Sequence, residues 1–244
     1  MKLRSSFSHI PASLAAGIII SGAYASAASI GVNFVGGDGP GNTTTKVLAS
    51  TDLAGVVAST NWNNATGNSL TTISNLNSDA GATTASVTYA ANGIYTARAT
   101  PAMATPNQIL MIGYVDDLTN AGDTTISFAN LPFVGNYEVY VYYGSDNNNR
   151  TGTITLGSTV YNIRTNTSAF TTFTPGTLAA DDPDPGNYVL FSGVNGAAFT
   201  VSAARGSNNI GVHGIQVVGT IPEPTGISLL GLGTLAMLAR RRRN

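Results

Sequence analysis

Through the second half of the chain, apolar and polar residues alternate one for one. In NYEVYVYYG, Tyr137, Val139, Val141 and Tyr143 fall on one face, and Glu138, Tyr140 and Tyr142 on the other. A period of two is what a strand with one buried face requires. TTISFANLP places Ile126 and Phe128 together before Leu131-Pro132 ends the run, and TGTITLG, STVYNIR, GNYVLFSGV and GAAFTVSA continue the pattern. Gly, Asn, Asp and Pro clusters part these segments as turns. Upstream, ASIGVNFVGG predicts an opening strand and ASVTYAANGIYTA two more. No helix of ordinary length is predicted; NQILMIGYVDD holds at most a turn or two. The pattern as a whole predicts an all-β fold, an antiparallel β-sandwich whose two sheets bury their apolar faces against each other.

One segment breaks phase. In NNIGVHGIQVVG, Ile210 and Val212 share a parity, whereas Ile215 and Val217 have the opposite one. A β-bulge at His213-Gly214 adds the one residue that returns all four to the same face.

The two ends of the chain do not alternate at all. Lys2 and Arg4 precede an apolar stretch around Leu14 to Ile20, followed by the small residues AYASAAS. Charged head, apolar middle and A-x-A exit are the order of a secretory signal peptide, with cleavage expected after Ala25 or Ala27. At the other end, TIPEPTGISLLGLGTLAMLARRRRN joins a Pro-Glu-Pro triplet to an almost uncharged run and four arginines. As a helix, Thr225 to Ala239 spans roughly 22 Å, short of the roughly 30 Å hydrocarbon layer unless its flanks contribute. Arg240, Arg241, Arg242 and Arg243 suit the headgroup region and hold that end on the cytoplasmic side. Residues 1–27 are thus expected to be a signal peptide, 28–219 the folded body, and 220–244 a sorting signal with a short membrane helix.

Setting the ends aside changes the charge. The whole chain is only 9% charged and nearly neutral, but the body holds five bases (Lys46, Arg98, Arg150, Arg164, Arg205) against ten aspartates and Glu138, a net charge of −6. Scattered bases on an acidic body exclude nucleic acid as a partner, since that needs clustered Lys and Arg. There are no cysteines, so the body holds together without disulfides even in an oxidising compartment.

Pro222, Glu223 and Pro224, the apolar segment and the terminal Arg240–Arg243 resemble the PEP-CTERM sorting signal of exported bacterial proteins. The resemblance implies export through the Sec machinery and a transient inner-membrane anchor. It further implies recognition by an exosortase, a membrane-embedded cysteine protease, with removal of the tail near the triplet and delivery to the cell surface or extracellular matrix. The family is associated with outer-membrane bacteria that make exopolysaccharide. In the body, the succession NLPFVGNYEVYVYYGSDNNNRTGTITLG, NYVLFSGV and GIQVVG is similar to the galactose-binding-like jelly-roll domains, which include many carbohydrate-binding modules. That second likeness implies a fold rather than a ligand.

Catalytic chemistry finds little support. His213 is the only histidine of the body, there is no G-x-S-x-G and no thiol, and Glu138 is the body's only glutamate. Acyl transfer lacks a nucleophile, and glycoside cleavage lacks its opposed carboxylates. The aspartates of VDDLTNAGD and DDPDPGN suit turn capping. GGDGPGN, GSDNNNRTG and DDPDPGN offer oxygens of the kind calcium uses, but no calcium-loop register fits: counted from Asp182, the fifth and twelfth positions are Gly186 and Gly193. No cofactor is expected, and a structural calcium ion stays open with no residue assigned to it. The better functional idea is sugar binding, with the sole tryptophan, Trp62, as a stacking ring and Asp146 and Arg150 as hydrogen-bonding neighbours on loops at one end of the sandwich. The opposing expectation is that Trp62 folds back onto the core. Two functions compete on this basis: a noncatalytic surface or matrix protein, associated with exopolysaccharide, and a secreted carbohydrate-binding module.

Overall fold

The computed structural model describes residues 25–37, 47–67, 71–97, 105–117, 122–166, 170–178, 183–206 and 208–222. Among these residues, the chain forms β1 (Ala25–Phe34), β2 (Asn63–Ala65), β3 (Thr71–Ile73), β4 (Asn77–Ser78), β5 (Gly81–Ala82), β6 (Ser86–Ala90), β7 (Gly93–Thr96), α1 (Pro106–Leu110) and β8 (Gly113–Asp116). It continues through β9 (Thr124–Ala129), β10 (Tyr137–Gly144), β11 (Thr151–Leu156), β12 (Thr159–Thr165), β13 (Pro185–Gly186), β14 (Tyr188–Val194), β15 (Phe199–Arg205) and β16 (Gly211–Pro222). The expected all-β architecture holds. Residues 1–24, with most of the predicted signal peptide, lie outside the described residues, as do Glu223 onward with the predicted membrane helix.

One sheet runs β14-β10-β16-β1-β2, with β8 also paired to β16 and β7 to β8; the other runs β13-β12-β11-β15-β9-β6-β3. The long strands pair antiparallel, and only the short β2 and β13 pair parallel, to β1 and β12. The core lies between the sheets. Ile30, Val32, Phe34, Val139, Val141, Tyr143, Ile215 and Val217 come from the first sheet; Val87, Tyr89, Ile126, Phe128, Ile154 and Val201 come from the second. ASVTYAANGIYTA does form two strands, but β6 enters the second sheet and β7 the first, so the segment crosses between layers rather than closing a hairpin.

The phase break in the last strand is a bulge where the pattern placed it. Along β10 and β16, Tyr142 stands opposite Gly214 and Tyr143 opposite Val212, which leaves His213 as the extra residue. Ile210, Val212, Ile215 and Val217 all join the same core, as one inserted residue must bring about.

The first sheet is buried on its outer face as well. Tyr140 and Tyr142 pack there with Leu48, Ala54, Trp62, Leu110 and Met111. This second layer is built from residues 48–62 and α1. The helix is short but well begun: Thr105 accepts the Gln108 amide, the Gln108 side chain accepts the Thr105 amide, and Pro106 opens the first turn. A Thr-Pro-Asn-Gln start is a capping box with proline where its missing N–H is not needed. Burial on both sides explains why β10 reads YEVYVYYG with aromatic rings at positions an exposed face would give to polar residues.

Candidate functional site

Asp146 and Arg150 sit in the turn between β10 and β11, and the structure brings them together. Arg150 Nη2 lies 2.8 Å from Asp146 Oδ1. Its Nη1 donates to the Asn209 carbonyl at 3.0 Å and to Asn209 Oδ1 at 3.3 Å, and Asn209 Nδ2 donates to Asp116 Oδ2 at 2.9 Å. The turn is fixed on β12: the Asn149 amide donates to the Thr165 carbonyl, and the Arg150 amide to Thr165 Oγ1. Asn149 has φ 60°, a left-handed conformation that asparagine tolerates better than most residues. Asp116 is fully buried. Burial raises its pKa, while the Asn209 hydrogen bond and the Arg150 charge work against that rise. The guanidinium therefore joins its own turn to Asn209, which in turn holds Asp116.

Trp62 lies in a different neighbourhood. It is 4% exposed. Its ring covers Gly31, where an added Cβ would fall 2.5 Å from Cδ2, and it tilts against Tyr142 at a centroid distance of 6.0 Å. Nε1 donates to the Ser59 carbonyl at 3.0 Å. The indole thus takes the alternative placement, folded onto the sheet, with its polar atom satisfied inside. Of the three ligand candidates the structure joins Asp146 and Arg150 and sets Trp62 in the outer hydrophobic layer.

His213, the bulge residue, is also internal. Its Nδ1 is 2.8 Å from the Gly113 carbonyl, and its ring meets Tyr114 edge-on at 5.3 Å. A carbonyl only accepts, so Nδ1 carries the proton. Burial drives the pKa down to about 4, with the Gly113 hydrogen bond opposing. Ala97, Met111, Tyr143, Ser145, Asn166 and Asn187 surround a void of about 10 Å³ next to this ring, about the space of one water. Among the described residues, no group of three or more His, Cys, Asp or Glu is placed to hold a metal.

A roomier concavity opens elsewhere. Between the β11–β12 turn and the β14–β15 turn lies a cleft of about 710 Å³, within the range of small-ligand sites. Leu156, Tyr161 and Phe199 form apolar parts of its wall, and Ser158, Thr159, Ser192 and Asn195 supply hydroxyl and amide groups. Among the described residues, no Asp, Glu, Lys, Arg or His lines it. The Tyr161 hydroxyl is spent on the Leu190 carbonyl at 2.7 Å, bridging the two sheets. Alternation marks Tyr161 and Phe199 as strand residues but does not say that their strands end around a gap.

Of the sorting residues, Pro222 alone falls among the described residues. β16 runs unbroken into Pro222, which is exposed; Glu223, Pro224 and Arg240–Arg243 lie outside the described residues. Among those residues no helix is long and apolar enough to cross a membrane. Residues 220–243 match the family model described as the PEP-CTERM protein-sorting motif. The motif implies export, a transient C-terminal membrane anchor and processing by an exosortase, a membrane protease. No curated protein matches the chain, so the β-sandwich stands on its own sheets and the galactose-binding-like resemblance has no curated relative behind it.

Proposed function

From a chain that carries the PEP-CTERM protein-sorting motif, we propose a noncatalytic protein of the cell surface or extracellular matrix, associated with exopolysaccharide after exosortase processing. The observation that carries this proposal is the match over residues 220–243, which begins within the last strand of the body. Supporting it, the polar groups most suited to chemistry are engaged in the fold: His213 is enclosed, and Arg150 is shared among Asp146 and Asn209. Intact-mass measurement of surface-released protein tests the proposal. A mature chain ending near Pro224 is expected; a chain that keeps Arg240–Arg243 in cells with active sorting would overturn it.

A second function, a carbohydrate-binding module, draws support from the 710 Å³ cleft. Its uncharged wall of rings and hydroxyl groups is complementary to a neutral saccharide, which has apolar C–H faces and a hydroxyl rim. A few hydrogen bonds of about 1 kcal/mol net each, with one stacked ring, give about millimolar affinity, which suits a polymer that many copies bind at once. Calorimetry of the body against neutral oligosaccharides, with Asn195→Ala in parallel, separates the two. Binding weakened by Asn195→Ala favours the module; no binding to any glycan favours the matrix role.

A further inference from the structure

The wall of the cleft between the β11–β12 and β14–β15 turns carries one of the two Asn-Gly pairs in the chain. Asn195 lines the cleft, and both Asn195 and Gly196 are exposed. Asn-Gly suits a tight turn. Gly196 stands at φ 90°, a conformation that glycine takes without penalty, and no other part of the chain comes within 4 Å of the place a Cβ would take. The turn is held on both sides: the Tyr137 hydroxyl donates to the Asn195 carbonyl at 3.4 Å, and the Leu131 amide to the Ala197 carbonyl at 3.0 Å. Neither bond uses the Asn195 side chain or the Gly196 amide, and among the described residues these two groups have no hydrogen-bond partner. The other pair is built into the sheet. Asn92 donates its own amide to the Asp116 carbonyl at 3.1 Å and its Nδ2 to Asp117 Oδ1 at 3.0 Å, and Gly93 is buried in β7 opposite Asp116.

We propose that Asn195 is a site of spontaneous deamidation, and that the reaction puts a carboxylate on the uncharged wall of the cleft as the protein ages. The Gly196 nitrogen attacks Asn195 Cγ and a C–N bond forms. The side-chain nitrogen leaves as ammonia, taking the Gly196 proton, and a five-membered succinimide remains. Water then opens the ring at one of its two carbonyl carbons. Opening at Cγ leaves aspartate at position 195. Opening at the main-chain carbon leaves isoaspartate, whose chain runs through Cγ and whose former main-chain carbonyl, the Tyr137 acceptor, becomes the carboxylate. Either product is ionised at neutral pH. The attack needs a nitrogen that no Cβ shields and a side chain free to turn, and position 195 supplies both. At position 92 the side chain must first leave Asp117 and the strand must part from β8, an opening that paired sheet residues reach only rarely. Among the described residues the cleft has no other charged group, so a single carboxylate changes its character.

Incubation of the full-length protein near neutral pH, with peptide mapping by mass at intervals, tests the proposal. Trypsin separates the two pairs: Asn92 lies between Lys46 and Arg98, and Asn195 between Arg164 and Arg205. In the native protein the peptide with Asn195 should gain the mass of an amide-to-acid exchange and split into aspartate and isoaspartate forms. The peptide with Asn92 should convert about thirtyfold more slowly, the factor for giving up two hydrogen bonds of ordinary net strength. In urea, where the sheet no longer protects Asn92, the two rates should converge. Asn195→Gln, whose longer side chain closes the corresponding ring far more slowly, should abolish the early mass gain without disturbing the fold. Conversion at position 195 no faster than at position 92 in the native protein would overturn the proposal, and so would an early mass gain in the 165–205 peptide that persists in Asn195→Gln.

Discussion

The Tyr142 hydroxyl donates to Gln216 Oε1 at 2.7 Å, inside the outer layer of the first sheet where neither side chain reaches solvent. The same hydroxyl accepts the Val56 amide at 2.8 Å, and Gln216 Nε2 faces Ser29 Oγ, Ser59 Oγ and the Val57 carbonyl. Two strand residues thereby pin the segment that covers them. Tyr142→Phe keeps the ring but leaves the Val56 amide and Gln216 Oε1 each without this partner, so stability should fall by about 1–3 kcal/mol. Urea unfolding measures the loss, and limited proteolysis should show cutting within residues 48–62 before the sheets open. An unchanged midpoint would mean that water replaces the hydroxyl at no cost.

Gly31 and Trp62 should prove coupled. A methyl group at position 31 meets the indole at 2.5–2.9 Å, so Gly31→Ala forces the ring aside at about 1–3 kcal/mol. Trp62→Leu leaves unfilled space and removes the Ser59 contact, at about 3 kcal/mol. The double variant should lose clearly less than the two together, because the smaller side chain admits the methyl. A double-mutant cycle by denaturant unfolding gives the coupling; strict additivity would place the ring elsewhere.

Val141 and Glu138 lie on opposite faces of β10, and their substitution should reflect it. Val141 is fully buried in the core between the sheets. Val141→Asp puts an unpaired carboxylate there and should cost several kcal/mol or abolish folding. Glu138 accepts the Tyr140 hydroxyl at 2.7 Å from a half-exposed position, and Glu138→Gln keeps an acceptor for it. That variant should stay within about 0.5 kcal/mol of the native protein by thermal and urea unfolding.

Acid should weaken the fold through His213. Its native pKa is about 4 against an ordinary 6.5. Between these values the unfolded chain binds a proton that the native protein refuses, so stability falls as pH drops from about 6.5 to about 4, by about 3 kcal/mol in all. Asp116 acts in the opposite sense: its raised pKa means that the native protein takes up a proton before the unfolded chain, a gain in stability as pH falls through that pKa towards 3.8. The His213 share is isolated by comparing native protein with His213→Gln across this range. The variant should start lower at pH 7 and lose less on acidification; parallel pH profiles would show that His213 does not titrate as a buried base.

Alternation and its break determined much of this protein before any coordinates. A period of two names the face of every long strand, and a parity change within one strand admits one inserted residue, so the bulge at His213 was legible from Ile210, Val212, Ile215 and Val217 alone. The sorting motif was legible for a similar reason, being a contiguous string whose three parts act in order. What covers the second face of a strand is not a local property. Tyr140 and Tyr142 alternate as though outward, yet residues 48–62 and α1 close over them, held by bonds such as Gln216 to Ser59, which are 157 positions apart. The fate of Trp62 followed from that closure, because a tryptophan among asparagines suits an exposed loop until Gly31 offers a flat surface with the Ser59 carbonyl beside it. Likewise Asp146 and Arg150 are four residues apart in the sequence, but only the fold supplied Asn209 and Asp116 and turned a pair of loop charges into an internal tie. The pairing of Ala25 with Pro222 belongs to the same class, since nothing in either end's sequence refers to the other and only the sheet order sets them side by side.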